Sequence, residues 1–140
     1  MREKRSFPRV GVSHPVYYHT ESYPVAQVAS SFDLSLGGVG IETSCSLVLG
    51  ESLDVSLAIP PKLIKAKGKV VHSLGLMGEK LKAGIQFLDL PKHESLYLGA
   101  YITNVLKHQQ KTNPLLGLLI AIGFSMIAWI LIIYVILQLI

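Results

Sequence analysis

Two short stretches of the chain carry side chains suited to a charged, planar ligand. In Arg2-Glu-Lys-Arg5-Ser-Phe-Pro-Arg9, four basic residues and one acid fall within nine positions. Arg5 and Arg9 are four apart, and Pro8 stiffens the backbone beside Arg9 by fixing its own φ. Guanidinium is planar, always charged and able to make two parallel hydrogen bonds, which suits phosphate and the O6/N7 edge of guanine. A solvated basic tail, or one lying on anionic headgroups, has the same composition. The second stretch is Asp33-Leu-Ser35-Leu-Gly37-Gly38-Val39-Gly40-Ile41. Asp33 and Ser35, two apart in extended chain, project to the same side. A carboxylate can accept from guanine N1–H and N2–H₂, and a hydroxyl can donate or accept. Glycine lets the backbone approach a ligand or take a positive φ. A plain turn accounts for the same residues, with Asp and Ser bonding their own backbone before a Gly-Gly kink.

Other chemistry is absent from the sequence. Five histidines (His14, His19, His72, His93 and His108) show no metal-ligand spacing. There is no P-loop, no G-x-S-x-G, and no G-x-G-x-x-G opening a helix after a strand. Gly37-Gly38-Val39-Gly40 precedes a strand and so does not read as a dinucleotide-binding turn. The single cysteine, Cys45, has no partner for an internal disulfide, which agrees with a reducing compartment, and reads as a strand-end residue. These observations argue against an enzyme. Net charge +4 is modest, and no RNA-binding pattern of stacked aromatics is present, which argues against nucleic acid as a partner.

The elements that must hold the two stretches are mostly strands. Between about residues 14 and 90 the apolar runs are short, β-branched or aromatic, and separated by Gly or Pro. The expected strands are 15–20, 25–32, 39–43, 52–59, 64–73 and 82–88. Turns are marked by Gly37-Gly38, Leu49-Gly50-Glu51, Pro60-Pro61 and residues 75–78. Six short strands in this length predict a small, mainly β, antiparallel barrel that closes its own edges. Residues 91–111 predict a C-terminal helix, with Leu98, Ile102, Val105 and Leu106 at helical spacing and Pro91 in its first turn.

The rest of the chain is different in kind. All the formal charges lie in the first 114 residues, and the 26 residues from Leu115 to Ile140 contain no Asp, Glu, Lys or Arg. A helix of that length is about 39 Å long, enough to cross a bilayer core of about 30 Å once. Asn113-Pro114 breaks the preceding helix. Lys107, His108 and Lys111 precede the apolar run and nothing basic follows it, so the positive-inside bias puts the charged part in the cytoplasm. The expected organisation is a domain over 1–113 and a single transmembrane helix, a tail anchor, over 114–140. Gly117, Ala121, Ser125 and Ala128 line one stripe of that helix, suited to close approach of a second copy; chance composition on a lipid-facing helix gives the same stripe.

Taken together, Arg5-x-x-x-Arg9 followed by Asp33-x-Ser35-x-x-Gly38 resembles the paired motifs RxxxR and [D/N]xSxxG of the PilZ domain family. Val39-Gly40-Ile41, Leu49-Gly50-Glu51, Val70-Val71 and Ala83-Gly84-Ile85-Gln86-Phe87 agree with that family's strand pattern, and the resemblance covers about residues 3–110. It implies a six-stranded antiparallel PilZ-like barrel and a receptor for the bacterial second messenger cyclic di-GMP, with no further cofactor. By resemblance, Arg5 and Arg9 hold guanine edges and phosphates, Asp33 and Ser35 read a guanine edge, and Gly38 gives the loop its shape. The expectation is then a receptor in the bacterial inner membrane that signals by reordering its N-terminal arginine segment, acting on an unknown protein effector. The competing expectation is a membrane-associated interaction module that binds no nucleotide.

Overall fold

The structure is a computed structural model, described here for residues 6–75 and 80–111 and for Tyr134 and Gln138. Arg5, the stripe Gly117, Ala121, Ser125 and Ala128, and most of the expected anchor 114–140 lie outside these residues. Among the described residues no helix is long and apolar enough to cross a membrane.

Six strands form a closed antiparallel barrel: β1 (Pro15–Thr20), β2 (Gln27–Ser35), β3 (Gly38–Thr43), β4 (Ser52–Ile59), β5 (Lys62–Gly75) and β6 (Leu81–Asp89). Their order around the barrel is β1-β2-β3-β6-β5-β4, and β1 pairs with β4 to close it. A helix, α1 (Lys92–Lys111), follows. The barrel and the helix as far as Thr103 form one compact unit, and Asn104–Ile140 form a second.

Alternation produces the core. Val16, Tyr18 and Thr20 of β1, Leu53, Val55, Leu57 and Ile59 of β4, and Ile64, Ala66 and Val70 of β5 all point inward, with exposed or half-buried residues between them. Tyr18 brings a hydroxyl into this interior, where it lies 2.7 Å from Thr43 Oγ1. Burial pushes the Tyr18 phenol up to about 12. Glu94, Leu98 and Ile102, one turn apart on α1, are buried, so this face is the one the helix turns to the protein. Lys62 Nζ stands 3.2 Å from the Glu94 carboxylate, and His14 Nε2 lies 2.6 Å from the Tyr101 hydroxyl. Val105 and Leu106, expected on the same face, are only half-buried.

One irregularity matters for function. In β2 the buried positions are Ala29 and Ser31, then Leu34 and Ser35, so the alternation breaks after Ser31. The register with β3 shifts between Ser31 and Asp33, which makes Phe32 the extra residue of a β-bulge. Without the bulge Asp33 would share the inward phase of Ala29 and Ser31. The bulge turns it outward.

Candidate functional site

The site is built where the chain N-terminal to β1 crosses β2 and the β2–β3 turn. Val10 is 1% exposed and exchanges two backbone hydrogen bonds with Leu34, each 2.9 Å long. Four residues on, His14 accepts from the Ser31 amide through its carbonyl, and its own amide donates to Ser31 Oγ. Ser31 Oγ in turn donates to the Val12 carbonyl. Residues 10–14 are thereby fixed along β2 on both sides of the bulge.

Immediately before this fixed segment, Arg9 Nη1 donates to Asp33 Oδ2 at 2.9 Å. The pair joins residues 24 apart in sequence and is open to solvent, the Arg9 side chain being 51% exposed and that of Asp33 24%. Phe7 reaches the turn itself: a Cβ on Gly37 would stand 3.1 Å from its ring. Phe7 and Arg9, the described end of the basic stretch, therefore lie against Gly37 and Asp33 of the second stretch.

The remaining motif residues do different jobs. Ser35 is buried; its Oγ accepts from the Gly37 amide at 3.2 Å and donates to the Gly38 carbonyl at 3.4 Å. Ser35 Oγ thus bonds within its own turn, whereas the Asp33 carboxylate reaches across to Arg9. Gly38 faces Ser35 on one side and Gln86 of β6 on the other. A Cβ there would run into the Ile85 carbonyl, so Gly38 allows the close approach of β6. Positive φ is not its role: among the described residues only Gly50 adopts one, at 85°. Gly40 faces Asp33 in register, and a Cβ on it would meet both the Asp33 carboxylate and the Phe32 ring. Of the five expected site residues, Arg9, Asp33, Ser35 and Gly38 come together, and Arg5 lies outside the described residues.

Sequence reasoning missed the neighbours of Asp33. Phe32 is 37% exposed, and Lys82 Nζ lies 5.0 Å from the centre of its ring. Lys82 also reaches Glu42 Oε1 at 3.3 Å. These side chains come from three strands, so no local spacing announces them; a lone exposed aromatic before the aspartate was the one available signal.

The family model for the PilZ domain matches residues 3–104. A comparison with curated proteins gives no match. Among solved structures the chain is similar to the inhibitor of motility MotI/DgrA of Bacillus subtilis, at 19% identity and TM-score 0.66, covering 78% of this chain and 53% of that one. It is similar to the PilZ domain of YcgR from Escherichia coli with c-di-GMP, at 12% identity and TM-score 0.64, covering 79% and 97%. It is also similar to MrkH of K. pneumonia in complex with c-di-GMP, at 14% identity and TM-score 0.67, covering 79% and 56%. The chain thus spans about half the length of MotI and MrkH, and nearly all of the isolated YcgR domain. At these identities the likeness is one of fold: a six-stranded antiparallel barrel followed by a helix. With the family model matched over most of its length, and Arg9 meeting Asp33 on the barrel surface, the chain belongs to the PilZ domain family.

Proposed function

We propose that this protein is a cytoplasmic receptor for cyclic di-GMP, held at the bacterial inner membrane by residues 114–140, and not an enzyme. The observation that carries the reading is the meeting of Arg9 with Asp33 on an outward bulge. A cation and a carboxylate side by side can take the phosphate or O6/N7 edge of a guanine nucleotide and its N1–H and N2–H₂ donors. The c-di-GMP named with the YcgR domain and MrkH structures supports the same ligand. In this reading Arg5 and Arg9 clamp the nucleotide, Asp33 reads guanine, and Ser35 and Gly38 hold the turn in shape for it.

Signalling follows from where the arm is fixed. Val10 is buried and bridged to Leu34, so reordering is confined to the residues before it. The arm is continuous with His14, which meets Tyr101 on α1, and a Cβ on Gly99 of the same helix would stand 3.8 Å from Leu36 of the β2–β3 turn. Ligand binding at the turn would reach α1 through these two contacts and, through α1, a protein effector.

The test is titration of the full-length chain in detergent with cyclic di-GMP, followed calorimetrically. Saturable binding is expected, weakened at least about tenfold in Arg9→Ala and in Asp33→Ala, as for loss of a charge-assisted contact of about 1.5–3 kcal/mol. Equal affinity in wild type and Arg9→Ala would sink the assignment. Absence of nucleotide binding together with flotation on anionic liposomes would support the interaction-module reading instead.

A further inference from the structure

Cyclic di-GMP has two guanines, and the motif residues supply one carboxylate. We propose that Glu42 and Phe32 form a second guanine subsite beside Arg9–Asp33, with Glu42 accepting from N1–H and N2–H₂ and the Phe32 ring packing on the base. This inference rests on the nucleotide reading above and extends it.

Four observations carry it. First, a shallow cleft runs between the fixed segment Gly11–Ser13 and the β2–β3 surface, and Ser30, Phe32 and Glu42 line its other wall. Its Phe32 wall adjoins the motif site, since a Cβ on Gly40 would meet both the Phe32 ring and the Asp33 carboxylate. Second, the bulge puts an aromatic ring at the surface, with the Asp33 carboxylate beside Gly40 like the ring itself and with the Lys82 ammonium that pairs with Glu42 over its face; exposed rings of this kind stack on bases at about 1–3 kcal/mol each. Third, the arrangement of charge repeats. Arg9 neutralises Asp33 at 2.9 Å, and Lys82 neutralises Glu42 at 3.3 Å while standing over the Phe32 ring. Each half is a carboxylate with a cation beside it, the pairing that a guanine base next to a phosphate asks for. Fourth, Asp33 is in register with Gly40, and Glu42 lies two residues further along β3. At about 3.4 Å per residue, the two rows are about 7 Å apart. That is close enough for one dinucleotide to occupy both. In this scheme Lys82 is a positioning residue, holding the Glu42 carboxylate at the cleft and adding positive charge for a phosphate.

The chemistry predicts selectivity. Adenine presents no adjacent pair of donors on its ring edge, so a ligand with one adenine must leave one carboxylate without its partners. The experiment measures the affinities of the full-length chain in detergent for cyclic di-GMP and for cyclic GMP–AMP, in wild type, Glu42→Gln, Phe32→Ala and Asp33→Ala. Wild type should prefer cyclic di-GMP by about tenfold or more, the size of one lost two-bond base contact. Glu42→Gln should weaken cyclic di-GMP by a similar factor and bind the two ligands about equally. Lys82→Met should weaken the preference, and Lys82→Arg, which keeps a cation beside Glu42, should rescue it. Circular dichroism confirms that each variant is folded; Glu42 and Phe32 are surface side chains, so folding should be intact. If Asp33→Ala abolishes binding but Glu42→Gln and Phe32→Ala bind both ligands as wild type does, the subsite is refuted and the receptor reading stands. If wild type binds neither ligand, the receptor reading falls and the subsite with it.

Discussion

Asp33 faces outward because β2 carries one extra residue at Phe32. The motif spacing made Arg9, Asp33, Ser35 and Gly38 legible in the sequence as a group. Their division of labour was not legible. Ser35 closes the turn, and Gly38 admits the approach of β6, a role set by the Ile85 carbonyl about fifty residues downstream. The two glycines on β3 should therefore behave differently. In Gly38→Ala the new methyl meets backbone, which cannot swing aside, whereas in Gly40→Ala it meets the ends of two side chains. Gly38→Ala should cost stability at the upper end of the about 1–3 kcal/mol typical of overpacking. Gly40→Ala should cost less, yet displace Asp33 and Phe32 and weaken cyclic di-GMP binding. Urea denaturation and calorimetric titration of both variants check this. A Gly40→Ala protein with wild-type affinity would remove Asp33 and Phe32 from the site.

At the scale of elements, alternation gave β1 and β4 with correct ends, because each has an unbroken inward row between clear turn signals. The sequence pattern places the end of the second strand at Phe32, whereas β2 runs to Ser35. A bulge reverses the apolar phase midway, and a run whose phase reverses looks like a strand followed by a loop. The helix was legible from Leu98 and Ile102. Its lateral tie to His14 was not, since residues 87 apart leave no local trace. That tie makes an acid prediction. Burial holds the His14 imidazole below its ordinary 6.5. As pH falls below 6.5 the unfolded chain takes up this proton before the folded protein does, so His14 lowers stability progressively down to its depressed folded value. Thermal melts from pH 7.5 to 5 should show a drop in wild type that is smaller in His14→Asn. An unchanged drop would mean that other groups dominate acid stability.

The whole molecule divides its charge from its apolar length. The 26-residue uncharged segment was read directly from composition, and it predicts the protein's address: the full-length chain should sediment with membranes and resist extraction at high pH, whereas a chain ending at Asn113 should stay in the supernatant. Recovery of the full-length chain in the soluble fraction would contradict the anchor. The Val10–Leu34 bridge has a consequence for how affinity is set. Because Val10 is pinned, Arg9 is a tethered competitor for the oxygen of Asp33 that a nucleotide would use, present at an effective concentration of about millimolar or above. A solvent-exposed pair is worth at most about 1 kcal/mol, so this self-occupancy lowers apparent affinity by no more than about fivefold. Removing Arg9 frees Asp33 as well as deleting the proposed ligand contact. In the proposed receptor the loss expected in Arg9→Ala is therefore a net quantity, and the guanidinium's own contribution to binding would exceed that loss by the occupancy it relieves.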